Sequence, residues 1–215
     1  MTLLVKICGL KTHEALEAAI AAGAEMAGFV FFPRSPRNIS LETARQLGAQ
    51  ARGRISKVAL VVDADDVMIA AIVDALRPDM LQLHGNEPPE RVAAIRARFG
   101  LPVMKAFGIA TREDLAAALA QGEAADRLLF DAKPPRDAAH PGGNGHAFDW
   151  PVLSRLESPR PWMLSGGLNA DNVAAAIAAT GARAVDVSSG VESAPGVKDL
   201  ARIAAFVANA RAAPP

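Results

Sequence analysis

Apolar and polar positions along this chain follow two alternating rhythms. Short apolar runs, many of them β-branched, recur as "LLVKIC", "MAGFVFF", "KVALVV", "MLQLH", "PVMKAF", "RLLFD", "WMLS" and "AVDVSS". After each, usually beyond a polar or Gly/Pro turn, comes a stretch whose apolar residues repeat at helical spacing. Ile69, Ile72, Val73 and Leu76 stand at i, i+3, i+4 and i+7, and Leu200, Ile203, Ala204 and Val207 repeat the pattern near the end. Such a stripe covers about 100° of a helix, so one side lies on a sheet and the other stays wet. Thr12, Thr111 and Asn169 suit helix N-caps, while Pro78, Gly100, Gly122 and Gly181 suit helix ends.

The runs are mostly apolar on both faces, as parallel strands covered on each side require. They predict eight strands and eight helices. Taking the strand ends as Cys8, Phe32, Val62, His84, Lys105, Asp131, Ser165 and Ser188, the steps are 24, 30, 22, 21, 26, 34 and 23 residues. No step leaves room for a domain linker, so residues 1–215 read as one α/β domain. Eight βα units in about 200–250 residues is the pattern of a closed (β/α)8 TIM barrel. A doubly wound open sheet more often has five or six strands and a glycine-rich first turn, and no GxGxxG follows the first strand here. The longest step holds "AKPPRDAAHPGGNG", a stretch suited to a binding loop or lid.

Composition narrows the function. The chain has 215 residues, 51% hydrophobic and 21% charged, with 23 Lys plus Arg against 23 Asp plus Glu. That balance gives no electrostatic case for nucleic acid or an anionic membrane as partner. No apolar run is long enough to span a bilayer, and "MTLLVKICGL" lacks the features of a signal peptide. A single cysteine cannot form an internal disulfide, which fits a reducing compartment, so the expected location is cytoplasmic. Monomer and homodimer both stay open.

In such barrels the active site is built at the C-terminal strand ends. That rule gathers Cys8, Arg34, Arg37, Asp63, Gln82, His84, Lys105, Asp131, "SGG" at 165–167 and "DVSSG" at 186–190 around one mouth. Glycines at the last two strand ends let backbone amides approach an anion, and these loops commonly hold phosphate in this fold. Apart from Arg183, near the far end, no Lys or Arg falls between residues 161 and 197, so amides would carry the binding. Cys8 and Asp131 are the best base and acid on offer, approaching from opposite sides of the mouth. The bland alternatives are a buried small side chain for Cys8 and a cap or loop salt bridge for Asp131. Arg37 or Arg34 could hold a substrate carboxylate. Lys105 reads as a Schiff-base lysine or a carboxylate partner. His84 has no second ligand at metal spacing, and neither HExxH nor CxxC occurs, so no metal is expected.

Taken together, "KICGL", "GFVFFPRSPRNI", "LQLHG", "KAF", "LLFDAK…GGNGHAFDW", "LSGGL" and "VDVSSGVESAPGVKD" resemble the phosphoribosylanthranilate isomerases of tryptophan biosynthesis, in the correct order from first strand to last helix. The resemblance implies a (β/α)8 barrel without cofactor or metal. It implies an Amadori rearrangement of N-(5-phospho-β-D-ribosyl)anthranilate to 1-(2-carboxyphenylamino)-1-deoxyribulose 5-phosphate. By the same carry-over Cys8 is general base, Asp131 general acid and Arg37 the carboxylate ligand. Phosphate falls to Gly166, Gly167, Ser188, Ser189 and Gly190, while His84 and Asp186 lie near the sugar. A free thiol is only a few per cent ionised at neutral pH, so this role implies a site that favours the thiolate. Asn144 and Ser165 depart from the family's commoner residues, in segments that contribute mainly backbone. Cysteine at position 8 argues against dual specificity, since relatives with two substrates carry aspartate there. The competing readings are another phosphosugar isomerase or epimerase, or a non-catalytic barrel that binds a phosphosugar.

Overall fold

Parallel pairing joins each strand to the next and the eighth back to the first, closing the ring in chain order. The structure is a computed structural model that describes residues 3–133, 150–154 and 156–213. The strands are β1 (Leu4–Cys8), β2 (Met26–Phe31), β3 (Ser56–Val61), β4 (Met80–Leu83), β5 (Val103–Ile109), β6 (Arg127–Ala132), β7 (Trp162–Leu164) and β8 (Ala184–Val187). All eight apolar runs form strands, and the expected barrel is the one observed. β5 differs most, running on past Lys105 to Ile109 because Gly108 pairs with Asp131 and Ile109 with Ala132. The glycine does not end the strand, since β6 supplies the ladder beside it.

The α-helices are α1 (His13–Ala21), α2 (Leu41–Ala51), α3 (Asp66–Leu76), α4 (Pro89–Phe99), α5 (Arg112–Gln121), α6 (Val173–Thr180) and α7 (Leu200–Ala212). The expected count of eight is thus seven among the described residues. Between β6 and β7 the described residues form a 3-10 turn, Trp150–Leu153. Pro159 and Pro161 follow it closely and cannot continue a helical ladder. Thr12 and Thr111 cap α1 and α5, the latter with Asp114 closing a reciprocal capping box. Asn169 instead holds the turn before α6, accepting from the Asp171 and Asn172 amides. The α3 stripe faces the core as expected. In α7 the stripe is rotated: Leu200 and Ala204 are exposed, and Ile203, Phe206, Val207 and Ala210 are buried. Burying the large Phe206 ring outweighs burying Ala204.

Inside the ring, Met26, Val58, Met104, Ala106, Leu129, Met163 and Ala184 form a separate apolar cluster. Unbranched methionines suit this tapering space. At the foot, a repeated device ties strand starts together. The Val5 amide donates to Glu25 Oε2 (2.8 Å), the Lys57 amide to Asp79 Oδ2 (2.7 Å) and the Val103 amide to Asp126 Oδ2 (2.9 Å). Each acid stands just ahead of the next strand, and its own amide donates to the carbonyl of the same strand-start residue. Amides that would otherwise lack a partner are satisfied by charged acceptors. No helix among the described residues is long and apolar enough to cross a membrane.

Candidate active site

Strand alternation decides what the mouth contains. On β1, Lys6 and Cys8 share the inward face with Leu4, which packs on the interior cluster. The same alternation turns Gln82 and His84 inward from β4, Asp131 from β6, Ser165 from β7, and Asp186 from β8. Cys8 is buried against Val30 and Leu60, with Phe32 and Val62 packed on the same apolar group. Gly28 sits beside Cys8 in the β1–β2 register. A Cβ there would lie 2.8 Å from Cys8 Sγ and 3.0 Å from its Cα. Gly28→Ala should therefore displace Cys8 and cut kcat at least tenfold while the circular dichroism spectrum stays that of the wild type; unchanged turnover would show that the sulfur's position is not critical.

Two ion-pair clusters flank the thiol. Lys6 Nζ donates to Asp186 Oδ1 at 2.9 Å, and Ser165 Oγ donates to Asp186 Oδ2 at 3.0 Å. On the other side, Glu192 accepts from Arg37 Nε and Nη2 (2.8 and 2.9 Å), from Lys198 Nζ (2.8 Å) and from the Gly196 amide (3.1 Å). Glu192 begins a short antiparallel hairpin, β9 (Glu192–Ala194) with β10 (Val197–Lys198), ahead of α7. Gly9, at φ +78°, leaves room for Arg37: a Cβ there would stand 2.6 Å from Arg37 Cδ. Arg34, by contrast, is exposed.

Burial pushes the Cys8 thiol up from its ordinary range; the Lys6 and Lys198 ammonium groups pull it down, and Asp186 adds to the rise. The expectation of a site that favours the thiolate differs from this direction: loss of hydration on burial outweighs the pull of the two ammonium groups. For Lys6, burial acts to lower the pKa, but Asp186 and Cys8 together hold it above its ordinary value. Lys198 is lowered, chiefly by burial, against the pull of Glu192.

On the acid side, the Gln82 amide donates to His84 Nδ1 at 3.0 Å, which leaves the ring proton on Nε2. His84 Nε2 faces Asp131 Oδ2 at 3.4 Å, and Asp131 Oδ1 accepts from the Ala132 amide at 2.8 Å. Gly166 (φ +88°) packs directly on this carboxyl: a Cβ would meet the Ala132 nitrogen at 2.4 Å and Asp131 Oδ1 at 3.0 Å. Gly190 interlocks with the same loop, since its Cβ would lie 1.9 Å from the Leu168 carbonyl oxygen. Ser188 Oγ donates to the Cys8 carbonyl at 3.2 Å, and Lys198 Nζ donates to the Ser188 carbonyl at 2.8 Å. Around the ring the order is Asp131 on β6, Gly166 and Gly167 after β7, Ser188–Gly190 after β8, then Cys8 on β1. The thiol and carboxyl are three strands apart, with the two glycine loops between them, rather than directly opposed.

Other candidates lie elsewhere. Lys105 alternates with the interior residues Met104 and Ala106 and so points to the outer face. There it meets Glu87 (3.2 Å) and the Gly85 and Ala106 carbonyls (2.8 and 3.0 Å), which rules out a Schiff base at the mouth. Asp63, at φ +48°, accepts from the Asn86 amide and serves the loop joining β3 to α3. The whole glycine-rich stretch after Lys133, with Asn144, lies outside the described residues. Lys6, Glu192 and Lys198 were not among the sequence candidates. A lysine in a strand that is otherwise apolar, two residues before the cysteine, was the available signal for Lys6.

Comparison with known proteins gives one consistent answer. Residues 5–209 match the family model described as N-(5'-phosphoribosyl)anthranilate isomerase. A protein of that name from Rhodopseudomonas palustris (strain HaA2) is 59% identical over 212 residues, covering 99% of this chain and 97% of the relative. Among solved structures, phosphoribosyl anthranilate isomerase from Thermotoga maritima superposes with a TM-score of 0.87 at 36% identity, covering 98% of this chain and all of that one. A structure of such an isomerase in complex with reduced 1-(o-carboxyphenylamino)-1-deoxyribulose 5-phosphate gives a TM-score of 0.83 at 35% identity, with 98% and 100% covered.

Proposed function

The chain belongs to the N-(5'-phosphoribosyl)anthranilate isomerase family, and we propose that Cys8 and Asp131 are the base and acid of its Amadori rearrangement. The reaction is an isomerisation in tryptophan biosynthesis that turns an aminoaldose into an aminoketose. Asp131 donates a proton to the ribose ring oxygen as the C1′–O bond breaks, and the anthranilate nitrogen lone pair completes an iminium. His84 Nε2–H is placed to hold the carboxylate that results. The iminium acidifies the C2′ hydrogen, Cys8 thiolate removes it, and the C–H electron pair forms the enolamine. Tautomerisation to the ketone completes the sequence.

The observation that carries this reading is the arc of four neighbouring strands, with acid, two glycine loops and base in succession. A phosphate at the amides of Gly166, Gly167, Ser189 and Gly190, beside Ser188, would set one pentose between Asp131 and Cys8. Asp186 then acts on the sugar side through the network of Lys6 and Ser165. Val30, Leu60, Phe32 and Val62 offer an apolar wall for the anthranilate ring next to Arg37. Glu192 fixes that guanidinium through Nε and Nη2, so Arg37 presents its charge to the substrate carboxylate from a held position. Residues 1–215 work as one catalytic unit in this reading, in the cytoplasm, where the lone thiol stays reduced.

The direct test is a coupled assay with freshly made phosphoribosylanthranilate. Turnover is expected; binding of a reduced product analogue without turnover would leave a sensor. Arg37→Ala should raise KM about 10–100-fold, the equivalent of one charged hydrogen-bonded contact, with kcat less affected. An unchanged KM would move the carboxylate contact away from Arg37.

A further inference from the structure

We propose that Lys6 is a positioning residue for this reaction, an ammonium fixed by Asp186 inside the barrel to supply the counter-charge that lets Cys8 ionise. This rests on the reading of Cys8 as base. Lys6 is fully buried one residue pair below Cys8 on the same face of β1, at the level where the interior is otherwise largely apolar. A buried ion pair is seldom there for stability, because two well-packed apolar side chains in its place are often as stable or more so. Its place beneath the one thiol calls for another reason.

The geometry supplies it. Asp186 takes the Lys6 ammonium on Oδ1 and the Ser165 hydroxyl on Oδ2, so the carboxylate's charge is spread over two donors. The ammonium has N–H groups beyond the one given to Asp186, and its charge acts directly on Cys8. The groups facing the sulfur are Lys6 on β1, Asp186 and Ser188 on or just after β8, and Lys198 on β10. Glu192 and Arg37 stand behind Lys198, and the His84–Asp131 pair lies across the mouth. From β2 and β3 and the residues just after them, among the described residues, come the uncharged Gly28, Val30, Phe32, Leu60 and Val62. Lys198 is held by Glu192 and Ser188 on the hairpin, whereas Lys6, held by Asp186, is fully buried two residues from the thiol on the same face of the same strand. When the thiolate takes the C2′ proton it becomes a neutral thiol and the positive charge of the iminium disappears with it. Lys6 and Asp186 keep their charges throughout, so no new burial cost arises in the step.

The composition makes the test clean. The chain has one cysteine and no tyrosine, so ultraviolet titration reads thiolate without tyrosinate beneath it. Thiolate absorbance and kcat/KM would be followed against pH in wild type, Lys6→Met, Lys6→Arg and the charge-neutral pair Lys6→Met with Asp186→Asn, which guards against misfolding around a lone buried carboxylate. In Lys6→Met the thiol midpoint is expected to rise by about one pH unit or more, a tenfold loss of thiolate and of kcat/KM near neutrality. In the double variant, where loss of the Asp186 charge offsets part of it, the midpoint should rise by a smaller amount in the same direction. Rate should recover at high pH, and Lys6→Arg should restore the midpoint in part. A midpoint unmoved in the folded methionine variants would overturn the proposal. Cys8→Ala serves as the separate control: full turnover there would remove the base assignment, whereas the titration would still report on Lys6.

Discussion

Replacing Cys8 by alanine should lower kcat about 10²–10⁴-fold, the range expected for loss of a positioned general base. The methyl group fits the space that Gly28 leaves for the larger cysteine, so the fold should persist. A reduced product analogue should bind within a few-fold of wild type, because phosphate, carboxylate and ring contacts come from other residues. A kcat within a few-fold of wild type would remove Cys8 from the mechanism. The same reading fixes the sign of the pH dependence. Only thiolate can accept the C2′ proton, and burial raises the pH at which it forms. Below that point kcat/KM should therefore climb tenfold per pH unit, with its acid limb extending well above neutrality, whereas ring opening in the complex places a cationic iminium beside the sulfur and should draw the limb of kcat lower. Comparing the limbs of kcat/KM and kcat separates the free enzyme from the complex.

The second large effect is Asp131→Asn. The amide keeps the shape of the carboxyl and its one oxygen can still accept from the Ala132 amide, but the NH2 in place of the other oxygen cannot accept from His84 Nε2, and the side chain carries no acidic proton. Ring opening would then expel an alkoxide without protonation, and kcat should fall about 10²–10⁴-fold with little change in analogue binding. A discriminating measurement follows from the order of steps. If Asp131 acts before Cys8, substrate carrying deuterium at C2′ should show a smaller isotope effect on kcat in Asp131→Asn than in wild type, because ring opening has become slower than proton removal. A variant that turns over at the wild-type rate would return Asp131 to a structural role.

What the sequence made legible was local. Apolar runs, their punctuation by glycine and proline, and the threonine caps at 12 and 111 depend on neighbours within a few residues. The closed ring followed from their regular count. The resemblance then singled out Cys8, Asp131 and Arg37 among many strand-end polar residues. Features that depend on distant pairing were not visible. Lys6 meets Asp186 across 180 positions, and Arg37 meets Glu192 across 155. Lys198 lies ten residues beyond Ser188 in the chain, and the hairpin from Glu192 turns it back to that residue. Lys105 was misplaced because the end of β5 is set by its pairing with β6. Among the described residues the connection between β6 and β7 shows a 3-10 turn where the sequence suggests a helix, and prolines after Leu153 keep that turn from lengthening. Leu200 and Phe206 compete for one helix face, and ring size decided it.

The carboxylate clamps formed by Glu25, Asp79 and Asp126 stand at the foot of the ring, remote from the thiol and the acid. Chemistry and mechanical integrity are thereby assigned to opposite ends of one object. A lineage can exchange side chains at the rim, reshaping which sugar it accepts, without unfastening the staves below. Damage to a clamp and damage to the rim should accordingly combine as independent losses, each leaving the other's consequence intact.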